Sequence, residues 1–140
     1  MSFNLLPLLP DLRVDCFYAA VLALLTLVLA FRVAWLRRRY GVGMGSAGHE
    51  DLARAVRVHG NATEYIPLGI LLLTLDALAG SPVLGVEIAG ALLCFGRLTH
   101  AYGLSQSSGA SPGRFAGTLS TWLSYLVMTG LLLTAVYTRG

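Results

Sequence analysis

Arg57, Asn61 and Glu64 stand at the head of an apolar run, Leu68 to Leu75, with Tyr65 beside them and Pro67 just inside it. Their spacing of i, i+4 and i+7 puts a guanidinium, an amide and a carboxylate on one helical face. Arg54 extends that face by a turn. Two chemistries fit this pattern. One is an intrahelical ion-pair ladder that makes a charged helix end tolerable, since a lone charge near mid-bilayer costs about 2.5–3.5 kcal/mol on insertion scales. The other is a site for a small zwitterion, in which Arg clamps a carboxylate, Glu holds an ammonium group and Asn bonds an amide. Spacing alone leaves both open. Pro67 cannot donate to the carbonyl of Thr63, so a kink is expected beside the cluster.

Further polar residues border other apolar stretches. Arg97 and His100 lie a turn apart near the end of the third stretch, either as interfacial snorkellers or as donors to the same pocket. Arg32 either snorkels or reaches Glu64 across the bundle. Arg37, Arg38 and Arg39 read first as an orientation signal. His49, Glu50 and His59 do not form the two-His motif of zinc peptidases, and no phosphate loop or hydrolase pattern occurs. Cys16 and Cys94, isolated in apolar surroundings, read as small buried hydrophobes.

These residues need membrane helices to position them. The 140 residues are 56% hydrophobic and 12% charged, where a soluble domain carries about 25% charged residues. Mean hydropathy is +0.70. Four apolar stretches predict a single all-α domain over residues 1–140, with helices at about 12–39, 49–79, 82–104 and 114–138. Residues 1–10 read as a short lead-in rather than a cleaved signal. Gly85, Ala89 and Gly90, and separately Ala116, Ser120 and Ser124, offer small-residue packing stripes. The net charge of +3 comes from arginine alone, and arginines flanking membrane helices set orientation; no soluble basic face is left for nucleic acid. Arg37, Arg38, Arg39, Arg54, Arg57, Arg97 and Arg114 sit in or beside the first and third loops, which places those loops in the cytoplasm and both termini outside. The arginine-only, Ala/Leu/Gly-rich composition points to a bacterium and so to its inner membrane.

Arg57-x-x-x-Asn61-x-x-Glu64-Tyr65-x-Pro67, Arg97-x-x-His100-Ala-x-Gly103 and Arg114 together resemble the MAPEG family, the membrane-associated proteins of eicosanoid and glutathione metabolism. The resemblance covers roughly residues 14 to 137 and includes Arg32 and the Arg37–Arg39 cluster. It implies a left-handed four-helix bundle assembled as a homotrimer, with glutathione bound between subunits near the cytoplasmic face. By position, Arg57, Asn61, Glu64 and Tyr65 would bind glutathione, Arg37 or Arg38 would meet a carboxylate, and Arg97 and His100 would stand near the cofactor. Arg114 would stabilise the thiolate, which attacks a lipophilic electrophile or a lipid hydroperoxide arriving from the bilayer. Leu104 stands where eicosanoid synthases of the family tend to carry tyrosine, and Phe115 follows Arg114 where the resemblance would place a small hydroxyl residue to assist the thiol. The alternative is a non-catalytic membrane scaffold of the same fold that binds a lipid or a partner protein. A small four-helix exporter would want a carboxylate midway along helix one, which offers only Arg32.

Overall fold

The computed structural model describes residues 12–107 and 109–139, and the lead-in reading of residues 1–10 lies outside them. The described chain forms four α-helices, α1 (Arg13–Tyr40), α2 (Glu50–Leu78), α3 (Val83–Gln106) and α4 (Pro112–Arg139), with no strand. α1 stops at Gly41, whose φ of 66° lets its N–H turn back to the Arg37 carbonyl. Arg37, Arg38 and Arg39 occupy the last turn of α1, where cations suit the negative end of the helix dipole. α4 opens with proline, which needs no intrahelical donor there. The connection between α1 and α2 is closed by Tyr40, which stacks on His49 at 3.9 Å and donates to Asp51 at 2.7 Å. That hydrogen bond holds the Asp51 carboxyl below its ordinary range.

α1, α3 and α4 are each long and apolar enough to cross a membrane. α2 differs because its first half is charged. At 29 residues it is about 43 Å long, longer than a hydrocarbon core of about 30 Å, so its polar turns extend past the apolar layer. The helix continues through Pro67, so the proline does not divide it. Large apolar side chains face outward along α1, among them Phe17, Leu24, Val28, Phe31 and Trp35. Such a surface suits lipid and would be a liability in water.

Buried positions in α1 recur every seven residues, at Asp15, Leu22, Leu29 and Leu36. A seven-residue repeat keeps one seam against a neighbour only if the helices coil left-handedly. The main core joins Leu22, Leu29, Val58, Ile66 and Leu93 from three helices. α3 and α4 form the closest pair, while the backbones of α1 and α4 nowhere approach within 8 Å among the described residues. Glycines set that closeness. A Cβ on Gly117 would lie 2.5 Å from the His100 nitrogen, and one on Gly103 would lie 2.8 Å from the Arg114 nitrogen.

The small-residue stripe expected on α4 is shifted. Ala116 faces outward, and the inward series is Gly117, Ser120, Thr121, Ser124 and Met128. From Gly117 through Thr121 and Ser124 to Met128 the steps are four, three and four, because a left-handed seam tracks a 3.5-residue period, which a constant step of four overshoots. Ser120 and Ser124 donate to the carbonyls of Leu92 and Ala89 at 2.8 and 2.7 Å, stitching α4 to α3. On α3, Gly90 faces the Tyr18 ring and Gly85 faces Leu131.

Candidate functional site

The polar residues of α2 divide between two directions. Arg57 and Glu64 form an outward ion pair, Nη1 to Oε1 at 3.2 Å, with side chains 65% and 51% exposed in the single chain. Asn61 sits between them in sequence but turns toward α3, where its Oδ1 accepts from Arg97 Nη1 at 2.9 Å. The one face anticipated for the three groups is therefore an exposed pair plus an inward flank. The 40° offset of an i+4 step is enough to send Asn61 into the α2–α3 contact.

Arg97 is a buried hub rather than a snorkelling cation, with only 3% of its surface exposed. Its Nε donates to Thr121 Oγ1 at 3.0 Å, and its guanidinium lies 4.8 Å from the centre of the Tyr65 ring. Thr121 in turn donates to the Gly117 carbonyl at 2.8 Å. The Tyr125 hydroxyl donates to the Tyr65 carbonyl. One buried cation thus ties α2, α3 and α4 together through hydrogen bonds and ring-face attraction. A Cβ on Gly96 would lie 2.5 Å from Thr121 Oγ1, so that glycine is what lets Thr121 reach Arg97. No motif in the sequence marks Thr121 or Tyr125 for this role. The only available signal was the place of Thr121 beside Ser120 in the small-residue stripe.

Arg114 lies in the first turn of α4, beside the end of α3. Its Nη1 donates to the carbonyl of Gly109 in the preceding loop. His100 is buried and lines a cavity of about 430 Å³ with Arg114, Phe115, Leu119 and Trp122, one polar end on an otherwise apolar hollow. A second cleft, of about 520 Å³, lies between the starts of α2 and α4 and holds Glu50, Arg54, Arg57, Leu104 and Arg114. Arg114 borders both hollows.

The arginines of α1 are placed differently. Arg37 is spent on its own loop, with Nη1 at 3.3 Å from the Gly45 carbonyl and 3.5 Å from that of Val42. Gly45 and Ser46 then line a groove with Arg57 and Gly60, so Arg37 shapes the approach to Arg57 through the loop. Arg38 faces outward, and Arg39 lies over the rings of Trp35 and Tyr40. Arg32 does not pair with Glu64; it donates to Ser105 Oγ at 2.8 Å, because Glu64 points away from the bundle toward Arg57. Cys94 is buried as expected, whereas Cys16 is exposed on the outward face of α1. No group of three metal-ligating side chains occurs among the described residues.

Four helices with an apolar exterior, a buried arginine hub and arginine-lined clefts at one end describe a polytopic membrane protein whose cationic groups gather at one end of the bundle. Residues 16–134 match the family model of the MAPEG family. Inner membrane protein YecN of Escherichia coli strain K12 is 38% identical over 115 residues, 82% of this chain and 86% of that protein. The same protein from Escherichia coli O6:H1 gives the same figures. The chain belongs to the MAPEG family, and it is a membrane protein of the four-helix kind.

Proposed function

We propose that this protein binds glutathione at the arginine-rich end of the bundle and uses it, as a homotrimer in a bacterial inner membrane, to conjugate lipophilic electrophiles or reduce lipid hydroperoxides. The observation that carries this reading is the outward Arg57–Glu64 pair, set beside the Asn61–Arg97 hub on a helix that continues into the apolar layer. A carboxylate and a guanidinium side by side match the ammonium and carboxylate ends of a zwitterionic peptide. That the Escherichia coli relative is an inner membrane protein supports the location. The arginines at the α1–α2 and α3–α4 ends support a cytoplasmic position for the site.

Arg114 supplies the chemistry. A free thiol has a pKa of about 8.5, and lowering it by two units takes roughly 2.7 kcal/mol of preferential thiolate stabilisation. A guanidinium at a helix N-terminus in a partly dry hollow can supply that much. In conjugation the thiolate sulfur forms the bond to carbon while the leaving group departs with its electron pair. The apolar cavity beside Arg114, walled by Phe115, Leu119 and Trp122, is where the lipophilic partner sits in this scheme.

Calorimetric titration of detergent-purified protein with glutathione, together with conjugation to 1-chloro-2,4-dinitrobenzene, tests the reading. Saturable binding, lost in Arg57→Ala and Glu64→Ala, supports it. Arg114→Ala should keep binding and lose the thiolate absorbance seen near neutral pH. A wild-type protein that binds no glutathione leaves the non-catalytic scaffold as the better account.

A further inference from the structure

At the other end of the bundle, away from the arginine-lined clefts, a groove of about 480 Å³ lies between the starts of α1 and α3. Both helices begin at this end and turn their positive dipole ends the same way. The lining carries two chemistries. Phe17, Ile88 and Ala91 form an apolar trough. Its floor is the Tyr18 ring, which lies so close to Gly90 that any Cβ there would strike it. Arg13 and Glu87, one from each helix, are the charged residues of the lining, and both are exposed. Glu87 makes no hydrogen bond or ion pair with the described residues. Its depth matters. α3 has 24 residues and is about 36 Å long, against a hydrocarbon core of about 30 Å. Glu87 lies four residues, or about 6 Å, from the start of α3, which is the boundary between headgroups and acyl chains. A carboxylate shown to that boundary needs a cationic partner, and a lipid headgroup is within its reach.

We infer that this groove binds one phospholipid with a primary-amine headgroup, its phosphate at Arg13, its ammonium donating to Glu87, and an acyl chain along the trough past Phe17, Ile88 and Ala91. Charge complementarity selects this occupant. A cation alone would take any phospholipid, and a carboxylate alone would repel the phosphate. One of each, on facing helices, matches a phosphate and an ammonium joined by a two-carbon link. The helix starts add to the attraction for the phosphate. A quaternary ammonium has no N–H to give Glu87, and a glycerol headgroup has no positive charge, so the same pair of residues discriminates against both. The groove is remote from the arginine-rich end, and the inference does not depend on the glutathione reading.

The test is native mass spectrometry of the intact, detergent-purified protein with phosphatidylethanolamine, phosphatidylcholine and phosphatidylglycerol of identical acyl chains in equal amounts. Wild type should retain phosphatidylethanolamine roughly tenfold better than either of the others, the factor for one charge-assisted hydrogen bond. Glu87→Gln should remove that preference, and should raise the retention of phosphatidylglycerol, which the native carboxylate repels. Arg13→Gln should weaken all three lipids alike, since each carries the phosphate, and keep their ranking. Ala91→Trp, which fills the trough, should lose all three. An unfolding midpoint close to wild type for each variant separates lost binding from lost fold. Equal retention of the three lipids by wild type overturns the inference, as does the wild-type ranking in Glu87→Gln or wild-type retention in Ala91→Trp. A changed number of subunits in Glu87→Gln with the lipid ranking kept also overturns it, and makes a second copy of the chain the occupant of the groove.

Discussion

Replacing Arg97 with methionine separates what holds the bundle together from what orients the site. The native side chain gives two charge-assisted hydrogen bonds, to Asn61 and Thr121, and a ring-face contact with Tyr65. Hydrogen bonds to charged groups contribute about 1.5–3 kcal/mol each, and a desolvated cation over a ring contributes about 2 kcal/mol. Against this stands the cost of burying a guanidinium, which is several kcal/mol even after relaxation. Methionine refills most of the volume and removes that cost. Thr121 keeps its bond to the Gly117 carbonyl, and Asn61 is half-buried, so it can recruit water. The opposing terms nearly cancel, and Arg97→Met should shift stability by no more than about 2 kcal/mol. Binding should respond more clearly, because the Asn61 amide loses the contact that fixes its direction. A loss of one positioned hydrogen bond corresponds to roughly tenfold in glutathione affinity. Thermal unfolding and calorimetry in the same detergent measure both quantities. The double variant Arg97→Met/Asn61→Ala decides the mechanism: if Arg97 acts through Asn61, the pair binds no more weakly than Asn61→Ala alone. Additive losses, or an unchanged affinity in Arg97→Met, would refute the positioning role.

Two other perturbations follow from packing and charge. Gly117→Val should lower the unfolding midpoint and uncouple the polar cluster, since the Cβ alone would already lie 2.5 Å from the His100 nitrogen and 2.7 Å from the Gly96 carbonyl oxygen; a midpoint equal to wild type would show that α3 and α4 do not pack this closely. Asp15→Asn should raise the midpoint at pH 8, because the native carboxylate is buried with both oxygens lacking a partner, and the desolvation of a charge outweighs the roughly 0.3–1 kcal/mol it gains in the first turn of α1; a midpoint that stays put or falls would count against this.

The architecture could be read from the sequence because hydropathy runs and glycine-rich breaks are local signals. The chain's four apolar stretches become four helices, and the family match accords with the Arg57-to-Pro67 motif. Side-chain direction was less accessible. Arg57, Asn61 and Glu64 share a face within 60° on an ideal helix, yet whether a group at the edge of that arc turns inward depends on what the neighbouring helix offers. Here Arg97 offers a donor and Asn61 turns to it. The same holds for Arg32, whose partner Ser105 is 73 residues away and carries no sequence mark of its role. Thr121 joined the site only because Gly96 and Gly117 allow α3 and α4 to approach, a property of two glycines on different helices taken together.

Depth in the membrane connects the outward ion pair to the proposed assembly. From Leu78 back to Tyr65, α2 contributes 14 residues, or about 21 Å of helix. A hydrocarbon core of about 30 Å needs roughly six more residues, which reach back to His59. Asn61 and Glu64 therefore fall inside the slab when the far end of α2 sits at its edge. Asn61 is satisfied there by Arg97, within the chain. Glu64 and Arg57 are more than half exposed, and pairing at 3.2 Å neutralises their charge without removing the polar surface they would show to lipid. Groups of this kind at membrane depth face protein or a water-filled cavity. A second copy laid against this side of α2 would supply both, covering the pair and enclosing a wet crevice beside it. In the proposed assembly crevice and trimer are one requirement, because the surface proposed to bind the peptide is the surface a lone chain cannot leave in the bilayer.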